Sequence, residues 1–265
     1  MSNLFVSCAI PRKEMSSKTM FPSPAQIDIV FVAAGGAPAS HIYPLIKSVI
    51  FHYHAPVTFH FVADEPARDV LATLFDTWKL PEANINFYAI ENYLKEVDWI
   101  PNLHSSGVYG MTKLILDEIL PRSVRKVLLL DTDTIVLDDL LLLVAKFEEM
   151  NEHQFYGLVP EISNWYSIPN PQRFVWPATD NGYNSGVALM DLDKMRASNW
   201  STLWRSVTRE NLLRLPKVNS ADQDVINAVL QRMPQAVMPL SCRYNLQLGS
   251  ATRKETCTGD PRQVT

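Results

Sequence analysis

Ten residues, Val127-Leu128-Leu129-Leu130-Asp131-Thr132-Asp133-Thr134-Ile135-Val136, constrain this chain more than any other stretch. Four consecutive apolar residues read as a central strand buried on both faces. That strand delivers two carboxylates, one residue apart, to its carboxyl end, the edge at which open α/β sheets bind ligands. On an extended backbone, residues i and i+2 lean to the same side. Asp131 and Asp133 together can therefore hold one hard divalent cation, and such a cation can clamp a diphosphate. The tripeptide recurs as Asp191-Leu192-Asp193 and Asp222-Gln223-Asp224. An Asp just past a strand also serves as a turn residue or a helix cap, so the surroundings of each copy decide its role.

Those surroundings alternate between strand and helix patterns. Residues 27–32 read as a strand that runs into Ala33-Ala34-Gly35-Gly36-Ala37-Pro38, a loop nearly without side chains, where a flat ring or a phosphate can approach the backbone. The loop is neither a dinucleotide fingerprint nor a Walker loop, and an ordinary strand-to-helix turn is its other reading. Helical spacing over 41–54, a strand at 57–62, a helix at 67–78 and a strand at 85–89 follow. Such alternation implies parallel strands joined by right-handed crossovers. The helix over 109–116 must pack beside the carboxylates. Its Lys113 either reaches a phosphate as a point charge or snorkels to solvent.

Beyond the central strand, 138–150 reads as an amphipathic helix and 155–159 as a strand. Residues 160–181 carry Trp165, Tyr166, Phe174, Trp176 and four prolines with little periodicity, the composition of a binding loop or lid. Gly182-Tyr183-Asn184-Ser185-Gly186 leads into an apolar strand, after which Asp191 opens a helix as its cap, with Trp200 and Trp204 on a core-facing side. In Ser220-Ala221-Asp222-Gln223-Asp224 one Asp caps a helix, and capping does not account for all three polar groups. Residues 236–240 form a last short strand, and His52, His54 and His60 read as structural.

With 265 residues, 47% of them apolar, the chain can bury a proper core in one large α/β domain or two small ones. A net charge of −4 without a basic patch argues against nucleic acid as a partner. Residues 1–24 read as a flexible leader, with no apolar run long enough for a signal or a membrane span, so the chain as written would be cytosolic. Cys242 and Cys257 are spaced to close a small disulfide in an oxidising compartment, or are two reduced thiols, and no Cys/His cluster has zinc spacing.

In order, the strand into Ala-Ala-Gly, the Lys-bearing helix, Leu-Asp-Thr-Asp, Tyr-Asn-Ser-Gly-Val and Ala-Asp-Gln-Asp-Val-Ile-Asn form a series over about residues 25–258 that resembles the retaining glycosyltransferases of family 8. Within that family, Trp99-Ile100-Pro101-Asn102, the segment from His104 to Gly110, the one from Ala72 to Trp78 and the Trp165-Tyr166 pair look most like the first catalytic domain of the LARGE-type xylosyl- and glucuronyltransferases, which act on α-dystroglycan. The resemblance implies a single GT-A (nucleotide-diphospho-sugar transferase) α/β domain with a mostly parallel central sheet over 25–258, followed by a tail at 259–265. It implies that Ala33, Ala34 and Gly35 lie against the uridine and that Lys113 helps hold the nucleotide. Asp131 and Asp133 would bind Mn2+ on the diphosphate of a UDP-sugar. Asn184, Ser185, Asp222, Gln223 and Asp224 would line the donor sugar and the reacting carbon, with Asp222 or Asp224 the only carboxylate available as a nucleophile if the route needs one.

By the same resemblance the donor sugar is xylose, with glucose and galactose open. The acceptor is a glycan or glycoprotein, the compartment is the Golgi lumen, membrane attachment comes only through a segment absent from this chain, and a homodimer is kept open. The family's third metal ligand is a histidine near the carboxyl terminus, whereas none of the six histidines here follows Asn184, so a C-terminally truncated domain is expected. Two other readings stand beside this one. One is a catalytically weak or inactive truncated transferase that serves as a UDP-sugar-binding or partner domain. The other is a haloacid-dehalogenase-type phosphatase, which also uses Asp-x-Asp after a strand but normally on its first strand.

Overall fold

The computed structural model describes residues 26–34, 36–53, 56–80, 83–168 and 174–248. Runs of β-branched and aromatic residues set the sheet. In β1 (Ile27–Ala33), β2 (Val57–Ala63) and β4 (Lys126–Leu130) nearly every side chain is buried, as strands covered on both faces require. With β3 (Ala83–Ala89), β5 (Tyr156–Pro160), β6 (Tyr183–Asp191) and β7 (Val237–Pro239) they form one seven-stranded sheet in the order β3-β2-β1-β4-β6-β5-β7. The register sets Val30 opposite Leu129, so β1 and β4 end side by side and Ala33–Ala34 leaves the sheet next to Asp131.

Two apolar clusters cover the two faces. On one, Phe31, Phe59 and Phe61 pack with Ile42, Leu45, Ile46 and Val49 of α1 (Gly36–His52) and with Leu71 and Phe75 of α2 (Glu65–Trp78). Helix α2 has well-defined ends: Asp64 accepts from the Ala67 N–H at its start, and Lys79 takes the left-handed conformation at its end. On the other face, Val30, Val62 and Leu129 share a core with Trp200 and Trp204 of α7 (Trp200–Leu212), Val225 and Val229 of α8 (Asp222–Arg232), and the segment around Leu114. The Trp200 indole N–H donates to the Leu114 carbonyl at 2.7 Å, and Arg196 in α6 (Leu192–Ala197) donates to the carbonyls of Asp117, Leu120 and Val124. These bonds tie the lysine-bearing segment to the last third of the chain.

The sheet is mostly parallel, as expected, with β6 running antiparallel to both β4 and β5. Two expectations need correction. The stretch 109–116 is not one helix but α3 (Gly107–Met111), a 3-10 turn over Thr112–Ile115 and α4 (Leu116–Ile119). Likewise 138–150 holds only α5 (Leu141–Val144) and a 3-10 turn over Ala145–Glu149. The Asp138 and Asp139 carboxylates accept backbone N–H bonds there, in competition with the helix.

Other expectations stand. Asp191 caps α6 through the Lys194 N–H, and Trp200 and Trp204 are fully buried. His60 is structural, held between Tyr88 Oη and Asp28 Oδ1 at 2.9 Å each, while His54 lies outside the described residues. Cys242 is disulfide-bonded, and Cys257 also lies outside them. Among the described residues no helix is long and apolar enough to cross a membrane.

Asp117 is a charge the core tolerates poorly. Its Oδ1 is buried without a hydrogen-bond partner among the described residues, and burial, then Glu118, raises its pKa to about 6 against weaker lowering by Arg196 and Arg205. A carboxyl whose folded pKa is raised contributes stability below its unfolded pKa, and that contribution is lost as pH rises through the folded value. Stability should therefore fall between about pH 4 and pH 6 on this account, by no more than about 3 kcal/mol for a shift of about two units. Asp117→Asn is expected to remove that slope and to be the more stable protein at pH 7.5, as read by urea denaturation at pH 4.5 and 7.5.

Candidate functional site

At the carboxyl end of β4 the chain turns sharply. The Asp131 N–H donates to the Gly186 carbonyl at 2.8 Å, and both the N–H and the hydroxyl of Thr134 donate back to the Asp131 carbonyl. This β-turn, closed on the Asp131 backbone carbonyl, presents Asp131 and Asp133 at the lip of the sheet. Lys113, from the 3-10 turn after α3, lies across them. Its Nζ stands 2.5 Å from Asp131 Oδ1 and 3.6 Å from Asp222 Oδ1. The Lys113 side chain is 10% exposed, so it does not snorkel to solvent, whereas Asp131 keeps about a third of its surface (34%) open.

The electrostatics of this cluster are lopsided. Burial opposes the Lys113 charge, but Asp131 and Asp222 more than offset it and hold the ammonium above its ordinary pKa. For Asp131 the balance goes the other way. Burial raises its pKa, Lys113 pulls it down, and the charges of Asp222 and Asp133 push it up again. One cation thus faces three carboxylates, and Asp222 Oδ2 is buried with no hydrogen-bond partner among the described residues.

Beside the ionic cluster lies a set of amides, placed there by a break in register. Leu158 pairs with Ala188 but Val159 with Asn184, so β6 bulges over residues 185–187 away from β5 while Val187 stays opposite Leu130. Bulges of this kind re-aim side chains next to active sites. Here the bulge sets Asn184 and Ser185 above the end of β4. Gly186 keeps its centre open, since a Cβ there would stand 3.0 Å from Asn184 Oδ1 and 3.2 Å from Asp131 Oδ2 and would push both side chains aside by a few tenths of an ångström.

Helix α8 closes the site from the other side. Its N-cap is Ala221, not an Asp as the sequence suggests, and Ala221 sits at φ 48°, a backbone region that non-glycine residues adopt only under strain. Asp224 holds that turn: Oδ2 accepts the Asn219 and Ser220 N–H groups at 2.7 and 2.9 Å, and Oδ1 accepts the Tyr166 hydroxyl at 2.8 Å. Burial raises the Asp224 pKa, while those two backbone bonds act against the rise. Both of its oxygens are committed to the fold. Gln223, one residue earlier, reaches β6 instead, where its Oε1 accepts the Ser185 N–H at 3.2 Å.

The structure thus assembles Lys113, Asp131, Asp133, Asn184, Ser185, Asp222, Gln223 and Asp224 at one sheet edge, with Ala33 and Ala34 buried at the adjoining end of β1, and Gly35 outside the described residues. Sequence reasoning missed Glu161, Asn227 and Gly186. Asn227 accepts the Tyr183 N–H and donates to the Tyr183 and Gln223 carbonyls, so it fastens α8 to β6. Glu161 directly follows β5, and the rule that drew attention to Asp131, a carboxylate at the ligand-binding end of a strand, applied to it equally. A separate cavity of about 270 Å3 between Phe155, Lys194 and Met233 lies at the opposite end of the sheet and shares nothing with this site.

A divalent cation fits the donor set. The oxygens are hard, the carboxylates outnumber the one ammonium, and a buried carboxylate oxygen is left unsatisfied. Among the described residues no group of three or more acidic, His or Cys side chains converges in a metal-holding arrangement. The residues therefore suit a cation that takes the rest of its ligands from a phosphate, the usual arrangement for Mg2+-like ions.

The sequence profile of glycosyl transferase family 8 matches residues 40–262. Among relatives, the xylosyl- and glucuronyltransferase LARGE1 of Gallus gallus is 41% identical over 236 residues, and LARGE2 of Homo sapiens is 39% identical over 241. These alignments cover 88% and 89% of this chain but only 31% and 33% of the relatives, so the chain spans about a third of their length. In structure the chain is similar to mouse xyloside xylosyltransferase 1 (TM-score 0.71, 18% identity, 85% of this chain and 89% of that one). It is also similar to the galactosyltransferase LgtC in complex with donor and acceptor sugar analogues (TM-score 0.66, 21% identity, 82% and 74%). The fold is thus that of the GT-A glycosyltransferases, as expected, and the phosphatase reading loses its basis.

If Lys113 is the sole buried counter-charge of the cluster, Lys113→Met should lower stability by about 3–5 kcal/mol, the cost of leaving buried carboxylates unpaired. Added Mn2+ should restore more of the melting temperature to that variant than it adds to the wild type, measured by differential scanning calorimetry with and without the metal.

Proposed function

The chain belongs to glycosyl transferase family 8, and on that premise we propose that it transfers a sugar, xylose in the first instance, from a UDP-sugar to a glycan acceptor with retention of configuration. The observation that carries this reading is the meeting at one sheet edge of an ionic cluster, Lys113 with Asp131, Asp133 and Asp222, and an amide cluster, Asn184 with Gln223. A nucleotide-diphospho-sugar has the same two halves, a charged diphosphate and a neutral ring of hydroxyls.

In this reading Asp131 and Asp133 hold Mn2+, which when bound neutralises charge on the departing diphosphate. Lys113 supplies a second, permanent positive charge at the same place. Ala33 and Ala34 give the uracil a wall without bulky side chains beside the carboxyl end of β1. Asn184 and Gln223 bond hydroxyls of the sugar, and Asp222 lines the reacting carbon. Asp224 serves as a positioning residue, because Tyr166, Asn219 and Ser220 occupy its oxygens. Of Asp222 and Asp224, Asp222 is then the one left to act as a nucleophile, and attack from the face that UDP leaves requires none. The relatives named for xylosyl and glucuronyl transfer support xylose as the donor sugar, and the disulfide at Cys242 supports an oxidising lumen such as the Golgi.

The test is thermal. UDP with Mn2+ present at about 100 times the dissociation constant should stabilise the protein by about 2.7 kcal/mol, roughly 5–10 °C in melting temperature for a domain of this size. Neither ligand alone should do so, and Asp133→Ala should abolish the shift. A shift that UDP gives without metal, or that survives Asp133→Ala, removes the cation from the site. No shift at all favours a folded partner domain over a donor-binding enzyme.

A further inference from the structure

Glu161 carries a role that neither family membership nor the paired aspartates assigns. The side chain is 8% exposed, and no ion pair to it exists among the described residues. Its backbone N–H donates to the Gly182 carbonyl at 2.9 Å, and its Oε1 accepts the Ser163 N–H at 3.0 Å, which fixes the carboxylate at the end of β5. The other oxygen, Oε2, accepts from Asn184 Nδ2 at 3.1 Å and from Gln223 Nε2 at 3.3 Å. One buried carboxylate oxygen thus joins an amide from β6 to an amide from α8, in addition to the bonds by which Asn227 fastens the two elements.

A carboxylate can only accept, so it admits each amide in one orientation, nitrogen inward and oxygen outward. The outward oxygens confirm that choice from the far side. Asn184 Oδ1 accepts the Gly186 N–H at 2.9 Å and Asn245 Nδ2 at 2.8 Å, while Gln223 Oε1 accepts the Ser185 N–H. Backbone N–H groups can only donate, so reversing either amide would set donor against donor on one side and acceptor against acceptor on the other. Asn184 Oδ1 accepts from two donors and Gln223 Oε1 from one among the described residues.

We propose that Glu161 is a positioning residue that fixes the donor and acceptor sense of Asn184 and Gln223, and so determines which hydroxyl pattern the sugar subsite accepts. This rests on the donor-site reading above. Glu161 itself need touch neither nucleotide nor metal. It acts through the two amides, and its substitution should therefore separate sugar recognition from diphosphate binding.

The test uses the full chain and its Glu161→Gln and Glu161→Asp variants, with UDP and UDP-xylose as probes in the presence of Mn2+. Glu161→Gln keeps the shape but opposes amide to amide. Its UDP melting shift should stay within about 2 °C of wild type, while its affinity for UDP-xylose by titration calorimetry falls about tenfold or more. Glu161→Asp, still an acceptor, should recover part of the loss. Without any ligand, the side-chain NH2 resonances of Asn184 and Gln223 should lose hydrogen-exchange protection in Glu161→Gln. Equal UDP-xylose affinity in Glu161→Gln and wild type, or an equal loss of UDP and UDP-xylose binding, overturns the proposal. Failure of the wild type to bind UDP at all overturns the donor-site reading instead. The exchange measurement then decides for Glu161, with unchanged protection counting against it.

Discussion

The Lys113 ammonium, wedged between Asp131 and Asp222, is the interaction on which the rest of the site depends. A lysine withdrawn this far from water survives as a cation only if carboxylates outweigh its desolvation, and here they do so with charge to spare. The surplus is informative. A purely structural ion pair tends toward neutrality, because each unbalanced buried charge costs stability. A cluster left net negative, with one Asp222 oxygen unsatisfied among the described residues, suits the proposed further cation that arrives with its own anion. Geometry upstream serves this placement. The 3-10 turn that interrupts α3 and α4 is what brings Lys113 inward, and Trp200 and Arg196 hold that turn through its neighbours' carbonyls.

The second constraint is the bulge in β6. A regular strand at residues 183–191 would alternate its side chains between the two faces and leave Asn184 and Ser185 committed to the register of β5. Letting Ser185–Val187 part from β5 while Val187 stays paired with β4 brings the Gly186 carbonyl onto the Asp131 N–H, so one irregularity orders both halves of the site. Gly186 and the strained Ala221 lie on opposite walls, each beside a carboxylate: a Cβ on Gly186 would crowd Asp131, and Asp224 holds the turn ahead of Ala221. The antiparallel direction of β6 has the same purpose, since it delivers the start of that strand, rather than its end, to the ligand edge.

Much of this was legible in the sequence, and the exceptions have physical causes. Strand β4 and its two aspartates could be read because an unbroken apolar run ending in acid has few alternatives. Helix α2 could be read because Asp64 and the apolar spacing of Leu71 and Phe75 agree. The direction of β6 could not, because an apolar run carries no sign of which way it pairs. Nor could the breaks at 112–115 and 141–149, since helical spacing is shared by α and 3-10 turns over a few residues, and the competing Asp138 and Asp139 bonds depend on tertiary placement. Ala221 rather than an Asp stands at the cap of α8, and Asp224 in the first turn reaches back instead to the N–H groups of Asn219 and Ser220 ahead of the helix, a contact that the cap pattern does not reveal. Glu161 was overlooked although it stands, like Asp131, just past the carboxyl end of a strand: a lone glutamate lacks the paired-carboxylate pattern that singled out Asp131, and its contacts arise only where β5, β6 and α8 meet.

That meeting point also separates two kinds of recognition. Charge–charge attraction in the ionic half is strong but nearly indifferent to which sugar is attached, because every UDP-sugar presents the same diphosphate. Discrimination must come from the neutral half, where a hydroxyl is accepted or refused according to whether it meets a donor or an acceptor, and where leaving a buried polar group unpaired costs more than a lost contact gains. Amides are ambiguous in that respect, since either end can turn toward the ligand. A buried carboxylate that accepts from both nitrogens removes the ambiguity before any ligand arrives, and so converts two adaptable side chains into a fixed pattern of donors and acceptors. On the proposed reading, choice of sugar is then a property of the Glu161, Asn184 and Gln223 triangle, while affinity for the nucleotide is a property of Lys113 and the aspartates around it.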